Sequence, residues 1–201
     1  MPDSLPDFER LAVACRDRLT GMPGGARSAD AWLFARLVAA REVRGERALL
    51  GLSASALAAL AERHFAADAL TPQPAQELAL LDDAHAAFAV AMRDFLVGLA
   101  APEVHAADAL CLATILAHAC LRPDHLWRDL GLSGRDDVTQ MLTRFFPQVV
   151  ARNTDNLRWK KLLARELALA HGGTPGPAPG CPGCEDFGFC FPATQPAAPR
   201  A

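Results

Sequence analysis

Apolar residues recur about every 3.6 positions along most of the chain, and no stretch alternates β-branched with polar residues. Alanine and leucine, which favour helix, dominate these periodic segments. The pattern therefore predicts an all-α fold, a helical bundle with an irregular cysteine-containing metal loop at its C-terminal end. The predicted helices cover residues 7–19, 29–43, 54–65, 75–99, 106–120, 135–145 and 155–170.

Small polar residues and glycines mark the ends of several predicted helices. Serine, threonine and asparagine before an apolar run are typical N-caps, because their side chains accept hydrogen bonds from the first free amides. Gly172 and Gly173 are expected to end the last helix. The predicted N-caps are Ser28 for the second helix, Ser53 or Ser55 for the third, and Asn153 or Thr154 for the last.

The chain changes character after residue 171. Residues 172–183 are rich in glycine and proline, so they cannot form a helix and offer little to bury. We therefore expect three parts. They are a helical domain over residues 1–171, a cysteine-rich metal-binding loop over 172–192, and a disordered tail over 193–201.

Composition narrows the classes of function. Hydrophobic residues make up 51% of the chain, enough for a core, and a net charge of -3 argues against a general binder of nucleic acid or acidic lipid. No apolar run approaches the roughly 20 residues of a membrane helix, and the N-terminus lacks the pattern of a secretory signal. We expect a cytoplasmic protein, where six cysteines favour thiols or metal ligands over disulfides.

Three of the cysteines lie close together near the C-terminus. Cys181 and Cys184 form a CxxC turn, favoured by the proline and glycine between them, and Cys190 follows after five residues. Such a turn presents two thiolates on one side, and the rings of Phe187 and Phe189 could shield a bound cluster. The residues alone leave open an iron–sulfur site, a structural zinc knuckle and a tail without metal.

Three thiolates are one short of the usual four ligands of zinc or of a four-cysteine iron–sulfur centre. Three arrangements meet this shortage. A distant side chain supplies the fourth ligand, or the cluster has only three irons, or one metal position stays open for an exchangeable ion. The candidate distant ligands are Cys120, His125 and His171.

The last predicted helix carries mostly positive charge in an acidic protein. Arg158, Lys161 and Arg165 share one face at spacing i, i+3, i+7, whereas Lys160 lies at the edge of the apolar stripe. Clustered cations attract an oxyanion or an acidic partner, and Arg152 is a further candidate at the start of the segment. A solvated face of an amphipathic helix is the alternative. The sequence contains no GxSxG, P-loop, GxGxxG or HExxH motif.

Several stretches between residues 106 and 192 together resemble the NifQ family, which takes part in molybdenum delivery for the nitrogenase iron–molybdenum cofactor. The N-terminal half is similar more loosely, at residues 51–52 and 63–65. The resembling stretches are 119–121 (ACL), 125–132 (HLWRDLGL), 146–147 (FP), 151–154 (ARNT), 158–161 (RWKK), 178–179 (AP) and the cysteine run ending in CF at 190–191.

The resemblance implies an oxygen-sensitive iron–sulfur cluster with molybdenum (Mo–Fe–S), held by the three clustered cysteines. It also implies molybdate as the metal source and nitrogenase cofactor-assembly proteins as partners, with no nucleic acid and no membrane. Arg158, Lys161 and Arg152 would contact the oxyanion or a partner. A metal donor turns over no organic substrate, so the resemblance predicts a carrier rather than an enzyme.

The chain departs from the family at one position. The family pattern Cx4CxxCx5C has four cysteines, and the first of them falls here on Gly176. A cluster on three thiolates, with molybdenum bound by a non-cysteine ligand or a small molecule, would suit a donor. Two alternatives stay open. One is a helical interaction or regulatory module with a structural zinc knuckle, and the other is a family member that has lost its cluster.

Overall fold

A computed structural model of the chain describes residues 7–70 and 82–192, and within these ranges it contains helices and no strand. The all-α prediction is confirmed. Residues 75–81 of the fourth predicted helix and the predicted disordered tail at 193–201 lie outside the described residues. The α-helices are α1 (Asp7–Thr20), α2 (Ala29–Glu42), α3 (Ala54–His64), α4 (Asp83–Val97), α5 (Ala106–Ala119), α6 (Leu126–Asp129), α7 (Arg135–Phe145), α8 (Pro147–Ala151), α9 (Trp159–Ala170) and α10 (Phe187–Cys190).

Several predicted helix ends are confirmed by hydrogen bonds. The Ser28 side chain accepts from the amide of Ala31 at 3.0 Å, and that of Ser53 caps α3 in the same way. At the end of α9, Gly172 adopts a positive φ of 68°, and the amide of Gly173 donates to Ala168 O at 2.8 Å. These bonds satisfy backbone groups that a helix end leaves free.

The predicted start of the last helix is wrong by four residues, because α9 begins at Trp159. Neither Asn153 nor Thr154 is its N-cap. The Asn153 side chain instead bridges both backbone groups of Leu157, at 2.7 and 3.0 Å, and Asn156 adopts a positive φ of 51°. This local network holds residues 153–157 as a loop.

Helix α5 forms the centre of the core and packs against α3 and α4. Its side chains Leu112, Ile115 and Leu116 are almost completely buried, which stabilises the fold by about 1.5–3 kcal/mol each. On the other side, Phe34 of α2 packs edge-on against Phe145 of α7, with ring centroids 6.0 Å apart. Among the described helices, none is both long and apolar enough to cross a bilayer.

The cysteine loop packs onto the turn that follows α5 and includes a 3₁₀ turn, Cys181–Gly183. The amide of Gly180 donates to Cys120 O at 3.0 Å, and a Cβ at Gly180 would overlap the carbonyl of Arg122. A Cβ at Gly183 would lie only 2.6 Å from Pro123 Cβ. Both glycines therefore allow the close approach that fixes the CxxC turn against the helical domain.

Candidate metal centre

One pocket lies between the cysteine loop, α6 and the first turn of α9. The pocket is lined by all three clustered cysteines, Cys181, Cys184 and Cys190. The structure therefore brings together the three cysteines that the motif singled out, at a common surface. The other lining residues include His125, Trp127, Arg135, Arg158, Trp159 and Lys161.

The cysteines of the pocket interact electrostatically with one another and with nearby lysines. Burial raises the pKa of the Cys181 thiol, and negative charge on Cys184 or Cys190 would raise it further. Burial also raises the pKa of Cys190, whereas Lys161 and Arg158 lower it. A metal must therefore displace protons from these thiols, and the two cations favour the thiolate form of Cys190.

Two of the predicted cationic residues, Arg158 and Lys161, lie at the pocket. The Arg158 guanidinium donates to Asp186 Oδ2 at 2.9 Å, and Lys161 Nζ donates to the carbonyl of Cys190. Lys161 Nζ also lies 4.9 Å from the centre of the Phe191 ring. Both side chains thus tie α9 to the cysteine loop and place positive charge beside its thiols.

The other two predicted cations lie elsewhere. The Arg152 side chain faces Glu166 at 3.5 Å, and Arg165 pairs with Asp155 at 3.2 Å. Neither Arg152 nor Arg165 lines the pocket. The shorter α9 separates Arg152 from the helix, so the predicted cationic set reduces to Arg158 and Lys161.

Of the three candidate distant ligands, only His125 lines the pocket. Its Nε2 lies 3.3 Å from Glu185 Oε1 and 3.4 Å from Asp186 Oδ2. Cys120 is buried behind Cys181, and this burial raises its pKa to about 12. His171 is at the opposite end of α9, about 15 Å along the helix axis from Lys161, and its Nδ1 lies 3.0 Å from Leu167 O.

The two predicted shielding rings differ in their placement. Phe187 lines the pocket and lies 5.3 Å from the Phe191 ring, whereas Phe189 is 77% exposed. Phe189 does not line the pocket, and its exposed ring lies 5.7 Å from the Arg158 guanidinium. Phe191 takes the shielding position instead.

No group of three His, Cys, Asp or Glu side chains within residues 7–70 and 82–192 is arranged so that it could hold a single metal ion. The three thiols share a pocket without the compact geometry of a mononuclear site. Their fit to an iron–sulfur cluster depends on the chemistry of the donor set. Thiolates are the usual ligands of such clusters, and in a cubane-type cluster each iron takes only one of them.

A buried ionic cluster adjoins the pocket through Lys160, which also lines it, and the sequence did not predict this cluster. Lys160 is only 6% exposed, and its Nζ pairs with the carboxylate of Asp129 and donates to Arg122 O at 2.8 Å. Arg122 also donates to the Asp129 carboxylate at 3.2 Å, and Arg41 donates to the backbone carbonyl of Asp129 at 2.5 Å and to its carboxylate at 3.4 Å. The position of Lys160 at the edge of the apolar stripe of α9 was the available sequence signal. A lysine that becomes buried there needs a partner of opposite charge, since an unpaired buried charge is unfavourable.

Comparison with known proteins gives a consistent result. A family model described as NifQ matches residues 32–192. The Protein NifQ homolog of Sinorhizobium fredii is 42% identical over 96 residues, which are 47% of this chain and 42% of that protein. Protein NifQ of Azotobacter vinelandii is 42% identical over 84 residues, covering 42% of this chain and 43% of that protein.

Protein NifQ of Klebsiella pneumoniae is 38% identical over 85 residues, covering 42% of this chain and 51% of that protein. The chain thus spans about half the length of the curated relatives it matches. No solved structure matches the chain. The family model covers far more than half of the sequence and includes the whole cysteine loop, so the chain belongs to the NifQ family.

Proposed function

We propose that this protein serves nitrogen fixation by carrying molybdenum within an iron–sulfur cluster and supplying it for the nitrogenase iron–molybdenum cofactor. The cluster is bound by Cys181, Cys184 and Cys190. One observation carries the proposal: the three cysteines line the same pocket as two of the predicted cations, Arg158 and Lys161, and as Arg135 and Lys160. Membership of the NifQ family supports the biological role.

The charges of the pocket suit such a cargo. Three thiolates bring three negative charges into a half-buried site, which is costly unless cations offset them. Arg158 and Lys161 supply this compensation beside Cys190. The cysteine loop lies at the surface, so a receiving partner among the nitrogenase cofactor-assembly proteins has access to it.

The missing fourth cysteine suits a donor. At Gly176 an added Cβ would meet nothing within 4 Å, and Gly176 does not line the pocket. His125 does line it and is the strongest candidate for a non-cysteine ligand. A metal position held by an exchangeable ligand releases its metal more readily than one closed by four thiolates.

The test is elemental analysis of the protein purified without oxygen. We expect iron, sulfide and molybdenum in the parent protein and their loss in Cys184→Ala. The matched control is Cys15→Ala, because Cys15 is a buried cysteine of α1 outside the pocket. Tightly bound zinc in place of iron would identify a structural zinc knuckle and overturn the proposal. Equal iron content in both variants would contradict the assigned ligands.

A further inference from the structure

In the described part of the chain, no side chain caps the three amides in the first turn of α9. The first hydrogen bond of the helix runs from Leu162 N to Arg158 O at 2.9 Å, so the amides of residues 159–161 precede it. Arg158 is the N-cap residue, and no side chain among the described residues accepts from these amides. Free amides at the start of a twelve-residue helix form a partial positive charge.

A second unused donor belongs to the same turn. Trp159 is 6% exposed and lines the pocket, and its indole N–H is buried without a hydrogen-bond partner in the described part of the chain. Buried polar groups in folded proteins almost always have a partner. An acceptor that reached this nitrogen would satisfy a donor that has no partner among the described residues.

The polar groups around this turn are arranged for an anion, and a carboxylate from the cysteine loop engages two of them. Asp186 accepts from Arg158 at 2.9 Å and lies 3.4 Å from His125 Nε2. Lys161 adds a further positive charge. Two other acidic residues lie close to the pocket, and both are paired with Arg128, which lies outside it. Glu185 lies 2.8 Å from Arg128 and 3.3 Å from His125, and Asp124 lies 3.2 Å from Arg128.

We propose that the start of α9 is a binding site for a tetrahedral oxyanion, which enters by displacing the Asp186 carboxylate. The Trp159 indole N–H and the first amides of α9 donate to its oxygens, and Arg158 and Lys161 balance its charge. Helix N-termini bind phosphate and sulfate through the same groups. The ligand rests on the proposed function and is molybdate, so the site gathers the metal source beside the thiols.

The test measures binding of molybdate to the reduced, metal-free full chain by isothermal titration calorimetry, with sulfate and phosphate as parallel arms. Trp159→Phe keeps an aromatic ring but removes the N–H, and we expect molybdate to bind roughly tenfold more weakly. Trp32→Phe on α2 is the matched control, because Trp32 lies outside this pocket. Unchanged affinity in Trp159→Phe, with an unchanged unfolding midpoint, would overturn the proposal.

A second variant tests the displaced carboxylate. Asp186→Asn keeps the size of the side chain but removes the charge that competes for Arg158, so molybdate should bind several-fold more tightly. Asp155→Asn, which changes an acidic residue outside the pocket, should leave the affinity unchanged. Weaker or equal binding in Asp186→Asn, or a preference for sulfate or phosphate over molybdate, would contradict the assignment.

The two proposals fail separately. Cys184→Ala should abolish retention of iron while leaving molybdate binding to the metal-free chain unchanged. If the parent protein holds no iron but binds molybdate, the cluster proposal fails and the oxyanion site stands. If it holds the cluster but Trp159→Phe changes nothing, the oxyanion site fails and the cluster proposal stands.

Discussion

Lys160 and Lys161 are neighbours on α9 and the only lysines of the chain, yet their side chains reach different environments. Lys160 also lines the pocket, but its ammonium group is paired with the buried Asp129 in the ionic cluster. Lys161 reaches the cysteine loop, where it bonds to the carbonyl of Cys190. Consecutive residues of a helix point about 100° apart, so one turn of α9 serves both regions.

The difference separates charge that is paired with a buried carboxylate from charge that lies beside the cysteine loop. The ionic cluster joins α2, the turn after α5, α6 and α9 through Asp129, and its groups are already satisfied by one another. The pocket, by contrast, is lined by Cys181 and Cys190, whose thiols have raised pKa values. It is also lined by Trp159, whose indole N–H has no partner in the described residues. The comparison predicts that mutations in the ionic cluster change the stability of the fold. Mutations in the pocket should instead change the binding of metal or molybdate.

The largest effect is expected in the ionic cluster. Asp129→Asn removes the only buried carboxylate that faces Lys160, Arg122 and Arg41 in the described part of the chain. Leaving buried cations unpaired should lower the free energy of unfolding by about 3–5 kcal/mol. Urea unfolding measures this loss, with Asp155→Asn as the exposed control, expected to change stability by less than about 1 kcal/mol. Equal stability of the two variants would contradict a structural role for the ionic cluster.

The paired lysines provide the most direct contrast. Lys160→Met should destabilise the protein by about 1–3 kcal/mol, because Asp129 loses a partner that accompanies it in the core. Lys161→Met should cost less than about 1 kcal/mol but should weaken retention of molybdenum. Unfolding curves and metal analysis of both variants test this, and similar behaviour of the two would show that the residues share one role.

A variant at Gly176 tests the effect of the missing fourth cysteine on metal retention. Gly176→Cys restores the fourth cysteine of the family pattern at a point where a Cβ has open space. Gly176 does not line the pocket, so the glycine- and proline-rich loop has to bring the new thiol to it. A fourth thiolate bound in this way should slow the loss of molybdenum to a chelator by about tenfold, equivalent to about 1.4 kcal/mol. Gly25→Cys adds a thiol far from the pocket and serves as the control. Faster loss from Gly176→Cys would argue against a site that lacks one protein ligand.

The smallest effect is expected at His118 and concerns how the stability of the fold depends on pH. Burial lowers the pKa of His118 below its usual 6.5, and Arg122 lowers it further, although a hydrogen bond with Thr114 O opposes this. As the pH falls below about 6.5, the unfolded chain binds the proton first, so stability is lost. His118→Gln should show a shallower decline of unfolding free energy between about pH 7 and pH 5. An unchanged slope would contradict the pKa shift.

The sequence predicted the long helices and the cysteine motif because both are local patterns. The serine caps of α2 and α3 were found in the same way. The short helices α6, α8 and α10 were missed, since four or five residues cannot display a period of 3.6. The start of α9 was misplaced because Asn153 is a good N-cap by type but bonds to Leu157 instead.

Long-range features of the site were harder to predict. The pairing of Lys160 with Asp129 joins residues 31 positions apart, and no local pattern reveals it. Arg152 looked equivalent to Arg158 in the sequence, yet it pairs with Glu166 away from the pocket. That the Trp159 N–H has no partner among the described residues depends on three-dimensional packing alone. Residue type therefore identified the candidates, and packing selected among them.

Molybdenum X-ray absorption of the anaerobically purified protein, measured beside Cys184→Ala, tests the central claim most directly. The account predicts sulfur and iron neighbours around molybdenum in the parent protein and the loss of that signal in the variant. Molybdenum surrounded only by oxygen in both proteins would contradict it.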